Sequence, residues 1–291
     1  MDRENGLQDI RMTGKLIIQP MGGLANRMRV IGMLRMLANE AHVPMEVVWR
    51  SNGDVGSKWC EIFEQPIDFV ITEASESYQH EYLSPKWYKN IPHRMWAAWH
   101  RYEWLPYNVV EQMDEDTSDE GLQKLFDKWI TQLHAGKTLY ISTGDYFGED
   151  YDIAIFKPIA SLQKEIDAFL PTNKEVYGIH IRRTDNSWAI EHSPLELFEN
   201  KIVEILKKDS DSLFYLASDD ADTIARFQKR FGDCILTRPK TFGRTSVQGI
   251  QDAIIEMWIL SKTKKIFGSF YSSYSGMAAK IGNINLEILK K

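Results

Sequence analysis

Two arginines and an aspartate, Arg182, Arg183 and Asp185, stand directly after a short apolar run at 176–181. The β-branched residues of that run predict a buried strand, so the three charges emerge at its carboxyl end. Open α/β sheets bind their ligands at that edge. Because a desolvated guanidinium requires a partner, we expect one arginine to pair with Asp185 or another carboxylate and the other to bind an anion such as a diphosphate. Two surface salt bridges are the alternative.

A second predicted strand, 212–217, is also followed by charged residues, Asp219 and Asp220, either of which can cap the next helix. A histidine, His180, interrupts the apolar run of the first strand. On local sequence alone such a histidine is either a core residue or a ligand contact.

A serine-rich turn between a strand and a helix contains Ser269, Ser272 and Ser273. Their hydroxyls and the adjacent backbone amides can hold a phosphate, or they can simply cap the helix. Glu256 lies in the middle of an apolar helical pattern, where a charge needs a partner or a function.

Three of these blocks resemble, in order, the three motifs of the α1,6-fucosyltransferase and protein O-fucosyltransferase superfamily. The first is His-x-Arg-Arg-Thr-Asp at 180–185, the second Tyr-Leu-Ala-Ser-Asp-Asp at 215–220, and the third Phe-Gly-Ser-Phe-Tyr-Ser-Ser at 267–273. A further segment, Met-Gly-Gly-Leu-Ala-Asn-Arg at 21–27, is similar to the Gly-Gly-Leu-Gly-Asn segment of these enzymes and of the α1,2-fucosyltransferases.

The resemblance implies that Arg182 binds the pyrophosphate of a nucleotide sugar and that Arg183 is more structural. It also implies that His180 lies against the nucleoside and Ser272 at the α-phosphate. Glu256 stands where relatives have an aspartate that recognises guanine. The implied set of donor-binding residues is Gly23, Asn26, His180, Arg182, Arg183, Asp220, Glu256, Ser269, Ser272 and Ser273.

An inverting transfer needs a carboxylate that deprotonates the acceptor hydroxyl, and Glu191 is the candidate base. The α1,6 enzymes carry an acid five residues after the aspartate of the first motif, whereas Glu191 stands six residues after Asp185. Asp185 and His192 are the alternative bases. The alternative interpretation of Glu191 is that it is only an exposed residue at the start of a helix. Arg182 completes the predicted catalytic set, because it stabilises the leaving diphosphate.

Composition excludes several classes of protein. The 291 residues include 35 basic and 41 acidic side chains, so the net charge of −6 argues against a nucleic-acid partner. Two cysteines form neither a disulfide framework nor a zinc motif.

No apolar run is long enough to span a membrane, and the polar N-terminus is unlike a signal peptide, so we expect a cytoplasmic protein. The acidic run at 114–116 resembles an Asp-x-Asp metal motif, but its place before an amphipathic helix favours a solvated helix start, so no metal site is predicted.

The pattern of strands and helices alternates along the chain, which predicts an α/β fold with parallel, doubly wound sheets. Predicted strands are 16–20, 45–49, 69–71, 138–142, 176–181, 212–217, 234–236 and 265–267. Gly22 and Gly23 allow a sharp turn from the first strand into a helix. Ser193, followed by proline, is expected to cap another helix.

With the family resemblance, this alternation implies the GT-B arrangement, two Rossmann-like domains that face each other across a cleft, with Asn26 facing it. We predict an N-terminal acceptor domain at 15–160 and a C-terminal nucleotide-sugar domain at 161–291. An aromatic segment at 78–107 can line an acceptor groove by stacking on sugars, or it can pack an irregular helical insertion onto the core, which the spacing of Trp96 and Trp99 favours.

The predicted function is therefore that of a metal-independent, inverting glycosyltransferase that moves L-fucose from GDP-fucose to a glycan hydroxyl. GDP-fucose is a substrate here, and no cofactor is expected. One alternative keeps the fold and mechanism with another donor, such as UDP-xylose. The other is a non-catalytic protein that binds a nucleotide or a glycan.

Overall fold

The computed structural model describes residues 14–74, 80–113, 119–144, 151–171, 174–184 and 186–291. Its strands are β1 (Lys15–Pro20), β2 (Met45–Arg50), β3 (Val70–Ala74), β4 (Tyr102–Leu105), β5 (Thr138–Thr143), β6 (Val176–Ile181), β7 (Leu213–Ser218), β8 (Ile235–Leu236), β9 (Ile266–Ser269) and β10 (Leu286–Leu289). Its helices are α1 (Leu24–Glu40), α2 (Ile91–Trp99), α3 (Tyr107–Met113), α4 (Asp119–His134), α5 (Ala160–Phe169), α6 (Ser187–His192), α7 (Leu195–Lys208), α8 (Ala221–Phe231), α9 (Val247–Ser261) and α10 (Ser273–Gly282).

The strands form two five-stranded sheets. The first has the order β3-β2-β1-β5-β4, and the second has the order β10-β9-β6-β7-β8. The pairs of β1 with β2 and β5, of β4 with β5, and all four pairs of the second sheet are parallel. The α/β class and the parallel sheets predicted from the sequence are therefore confirmed.

In the second sheet, the chain runs outward from β6 through β7 to β8, then returns to the other side of β6 to form β9 and β10. The direction of winding thus reverses between β6 and β9. Ligands of open parallel sheets bind at such a reversal, beyond the carboxyl ends of the strands.

Side-chain alternation along β6 separates a core face from a site face. Ile179 and Ile181 are buried with Phe198, Phe214 and other apolar residues of one core cluster. Because successive side chains of a strand point to opposite faces, His180 lies on the other side of the sheet. The apolar core on one face therefore fixes the orientation of a polar residue on the other.

The chain is divided into two compact units. The first contains 30–49, 66–152 and the segment that ends at Met21, and the second contains 22–29, 50–65 and 153–291. The predicted boundary at 160 assigns 50–65 to the first domain, whereas in the structure these residues belong to the unit of the second sheet. The reason is aromatic packing within the second unit, where the Phe63 ring lies 5.4 Å from that of Phe156 and 6.0 Å from that of Trp258.

The structure also contains strands that the sequence analysis did not predict. β4 lies within the aromatic segment and pairs with β5, and β10 pairs with β9 near the end of the chain. Within the ranges described above, no helix has both the length and the apolar character that crossing a membrane requires.

Candidate active site

Three strand ends of the second sheet are joined by hydrogen bonds at the point where the winding reverses. The backbone amide of Arg182, after β6, donates to Ser269 Oγ at the end of β9 at 3.0 Å. The amide of Arg183 donates to Asp219 Oδ1, after β7, at 2.7 Å. This network holds the Arg182 side chain at the edge where the fold places ligands.

Asp219 is the carboxylate that pairs with Arg182, at 3.1 Å between Oδ2 and Nε. The Thr184 amide and hydroxyl also donate to Oδ2, at 3.2 and 2.7 Å. Burial raises the pKa of Asp219, but these hydrogen bonds and the Arg182 charge outweigh it and hold the pKa below its usual value. Asp219 is therefore an ionised anchor that orients Arg182.

The second arginine makes a different set of contacts. Arg183 donates to the carbonyl oxygens of Ser193, at 2.5 Å, and Ile190, at 3.4 Å. These carbonyls lie at the end of α6, where unpaired acceptors need donors. Arg183 thus stabilises the end of a helix.

A cavity of about 480 Å³ opens beside Arg182. Its walls come from the ends of β6 and β7, the loop at 240–244, and helices α9 and α10. This volume is in the range of small-molecule sites, which are typically about 300–1,000 Å³.

One wall of the cavity is aromatic. The rings of His180 and Tyr274 stack with centroids 4.8 Å apart. Burial lowers the pKa of His180 to about 3, so the imidazole is neutral at physiological pH. Its Nδ1 is buried and has no hydrogen-bond partner among the described residues. A flat aromatic wall suits a nucleobase, which can stack on it.

A buried ion pair forms another wall of the cavity. Lys240 Nζ lies 2.7 Å from Glu256 Oε2, with both side chains less than a tenth exposed, and it also donates to the carbonyl of Ser218 at 2.5 Å. Burial raises the pKa of Glu256, while the Lys240 ammonium opposes that rise. The pair offers an acceptor and a donor side by side.

The loop that carries Lys240 is held against α9. Asp252 accepts hydrogen bonds from the Thr241 amide at 2.8 Å and from Arg238 at 2.5 Å. Gly243 has φ +106°, which favours glycine, and its carbonyl would lie 2.2 Å from a Cβ placed on Gly249. Both glycines are therefore required for the loop to close over the start of α9.

No protein-family model and no curated protein sequence matches the chain. Solved structures do. The fold is similar to that of the NodZ α-1,6-fucosyltransferase of Bradyrhizobium in a crystal soaked with GDP-fucose, with a TM-score of 0.58 and 13% identity over 92% of each chain. The fold is that of the GT-B fucosyltransferases.

Two other fucosyltransferase structures have a similar fold. POFUT1 in complex with GDP has a TM-score of 0.57 and 11% identity, over 96% of this chain and 98% of the other. A mutant of Arabidopsis thaliana FUT1 in complex with GDP has a TM-score of 0.57 and 14% identity, over 95% of this chain and 70% of the other. The GT-B class implied by the motifs is confirmed at the level of fold.

Of the residues that the motifs nominate, His180, Arg182 and Glu256 line the cavity together. Asp220 instead caps α8, where its carboxylate accepts from the Thr223 amide at 2.9 Å. Ser269 is buried, and its hydroxyl accepts from the Arg182 amide. Neither Asp220 nor Ser269 lines the cavity.

Ser272 and Ser273 lie at the beginning of α10, which also carries Tyr274. Ser272 occupies the N-cap position, but its side chain makes no capping hydrogen bond. Ser273 is exposed at the first helical position. The first backbone amides of a helix lack intrahelical partners and can bind a phosphate, but neither serine lines the cavity.

The glycine turn after β1 is built as predicted. Gly22 has φ +78°, and a Cβ on Gly23 would meet no atom within 4 Å. Asn26 Oδ1 accepts from Arg29 at 3.3 Å. The buried guanidinium of Arg27 donates to the Gly22 carbonyl at 2.9 Å, which holds the turn.

Glu191 is exposed on α6 and does not line the cavity. The alternative base His192 stacks on Trp188, with ring centroids 5.4 Å apart. Asp185 and the acidic run at 114–116 lie outside the described residues. The described residues contain no cluster of three or more His, Cys, Asp or Glu side chains arranged to hold a metal ion.

Lys240 and Tyr274 were not predicted from the sequence as site residues. A signal for Lys240 was present, because the segment 238–244 carries three cations between a strand and a helix. Tyr274 directly follows the third motif, and its helical position turns it toward His180.

Ser193 was expected to cap α7, but that prediction is wrong. The N-cap is Pro194, and the Ser193 hydroxyl donates to the Leu289 carbonyl and accepts from the Phe270 amide.

Part of the aromatic segment is packed against the first sheet. The Trp96 ring stacks on His80 at 3.5 Å and meets Tyr140 edge-on at 5.0 Å. Burial and neighbouring histidines lower the pKa of His80 to about 4. These contacts support the structural interpretation for Trp96, whereas Trp99 is exposed.

Proposed function

We propose that the chain is an inverting glycosyltransferase that moves L-fucose from GDP-fucose to a glycan hydroxyl. The observation that carries this proposal is one cavity that combines Arg182, the His180–Tyr274 stack and the buried Lys240–Glu256 pair. It lies in a fold shared with fucosyltransferases whose crystals contain GDP or GDP-fucose.

The ion pair matches the hydrogen-bonding edge of guanine. Guanine has two donors, at N1 and N2, beside one acceptor, O6. The carboxylate of Glu256 accepts from the donors, and the ammonium of Lys240 donates to the acceptor. Adenine presents a donor at the position of O6 and no donor at N1, so it would leave both buried charges poorly satisfied.

Arg182 supplies the charge for the diphosphate. In glycosyl transfer the bond between the anomeric carbon and the diphosphate oxygen breaks, and negative charge grows on the leaving GDP. A guanidinium already fixed by Asp219 stabilises that charge without further reorganisation. We propose that this arginine and the amides of α10 do so without a metal ion.

An inverting reaction also needs a base on the side opposite the leaving group. The base takes the proton of the acceptor hydroxyl while the oxygen forms a bond to the anomeric carbon. Glu191 stays the first candidate for this role, with Asp185 and His192 as alternatives. We propose that the acceptor is bound by the N-terminal domain, predicted at 15–160.

A thermal-shift panel tests the donor. The full chain is heated with GDP, UDP, GDP-fucose, GDP-mannose or UDP-xylose, with magnesium or with EDTA. Ligands that bind the folded state raise the melting temperature by mass action. The proposal predicts stabilisation by GDP and GDP-fucose in EDTA. Stabilisation by UDP compounds alone would assign another donor, and a requirement for magnesium would refute metal independence.

A further inference from the structure

An exposed apolar face runs along α2 and the 3-10 turn before it, Trp87–Asn90. Ile91, Met95 and Trp99 recur at every fourth residue of α2, which places them on one side of the helix, and Trp87 is exposed in the 3-10 turn before it. Their exposed fractions are 74%, 42%, 67% and 86%. Soluble proteins rarely leave a continuous face of this kind without a partner.

The fold does not need this face. α2 is held by its other side, where Ala97 is buried and Trp96 stacks on His80. Trp104, in the neighbouring strand, donates to the His80 carbonyl at 2.9 Å and completes that packing. The exposed side chains of Trp87 and Trp99 therefore do not contribute to the core.

The same segment is strongly basic. Lys86, Lys89, Arg94 and Arg101 are exposed, and residues 86–101 contain no acidic side chain, although the whole chain has a net charge of −6. None of the four cations forms an ion pair with another residue in the described part of the chain. Four positive charges without an ion-pair partner among the described residues thus border an apolar, tryptophan-rich face.

We propose that this face binds the surface of an anionic lipid bilayer. A bilayer interface offers anionic headgroups directly above an apolar layer, so it satisfies the cations and the apolar side chains together. Tryptophan suits that boundary because its ring is apolar and its N–H is polar. The face belongs to one short helix and the turn directly before it, and such a helix can lie parallel to a bilayer surface. Membrane binding by α2 does not depend on glycosyl transfer.

Vesicle sedimentation tests the proposal with the full chain. Vesicles of phosphatidylcholine alone are compared with vesicles that also contain phosphatidylglycerol. We expect binding to the anionic vesicles, which weakens as salt is raised because the headgroup charges are screened. Equal binding to both kinds of vesicle, or to neither, would overturn the proposal without any variant.

Aromatic variants test the apolar part of the face. Trp87→Ser with Trp99→Ser is expected to weaken vesicle binding at least about tenfold, because two apolar side chains no longer enter the bilayer boundary. Trp188→Ser is the matched control, since Trp188 is also exposed, at 59%, but lies on α6. Unchanged binding by the double variant would refute the assignment to α2.

Charge variants test the basic part. Lys86→Gln, Lys89→Gln and Arg94→Gln are each expected to weaken binding about fivefold. Lys207→Gln with Lys208→Gln removes two exposed cations from α7 as a control.

The competing occupant of the face is a second copy of the chain, which sedimentation velocity without lipid detects. A dimer that is abolished by the tryptophan variants would assign the face to that second copy.

Discussion

Replacing Arg182 by alanine tests the diphosphate site. A charge-assisted hydrogen bond from a guanidinium to a phosphate contributes about 2 kcal/mol to binding, so Arg182→Ala should weaken GDP binding roughly 30-fold. Asp219 keeps three donors in the variant, the Arg183 amide and both Thr184 groups. We therefore expect the free energy of unfolding to fall by only about 1 kcal/mol.

Isothermal titration with GDP, GMP and guanosine measures this effect. The loss of affinity in Arg182→Ala should be largest for GDP and small for guanosine, because the guanidinium contacts the diphosphate. Arg226→Ala is the control, since it removes another arginine of the second unit, one that pairs with Glu199 and does not line the cavity. GDP affinity within about twofold of the wild type, or an equal loss for guanosine, would refute the assignment.

Three further predictions concern pH, the loop and the base. Burial lowers the pKa of His180 to about 3 in the folded chain, below its ordinary 6.5. Between these two pH values the unfolded chain binds a proton at this histidine and the folded chain does not. The free energy of unfolding therefore falls as the pH falls. Urea titrations measure the free energy of unfolding at each pH. Between pH 6 and 4, His180→Phe should remove a dependence of about 1.4 kcal/mol per pH unit that the wild type shows. If the variant keeps the same pH dependence, His180 titrates normally. Gly249→Ala should lower the free energy of unfolding by about 1–3 kcal/mol and weaken GDP binding, because its Cβ would clash with the Gly243 carbonyl. Gly276→Ala in α10 is the control: its Cβ would meet no atom, so it should be neutral or stabilising. Equal stability of the two variants would contradict the loop contact. Glu191→Gln should abolish transfer while GDP still binds, and a retained rate together with an inactive Asp185→Asn would move the base to Asp185.

The edge of the second sheet was predictable from local sequence. The apolar run at 176–181 matches β6 residue for residue, so Arg182 and Arg183 follow it as expected. The Asp220 cap was also predictable, because a carboxylate at the start of an amphipathic helix accepts from the amide three residues on. Short-range rules suffice where the partner is near in sequence.

The rest of the site depends on contacts between distant residues. The sequence indicated that Glu256 needed a partner, but Lys240 reaches it from a loop with no periodic pattern. Ser193 has the local features of a helix cap, yet its hydroxyl bonds residues 77 and 96 positions away. β4 was missed because its aromatic residues resemble the helical segment before it, and only pairing with β5 makes it a strand. Tertiary contacts decide these positions.

Sugar turnover separates a fucosyltransferase from a protein that only binds nucleotides. The full chain is incubated in EDTA with GDP-fucose and a panel of glycans, and the release of GDP is followed together with labelled fucose in the glycan product. We expect GDP release that depends on a glycan acceptor and that falls sharply in Arg182→Ala. Binding of GDP-fucose without any acceptor-dependent turnover would contradict the proposed reaction and identify the chain as a non-catalytic nucleotide-binding protein.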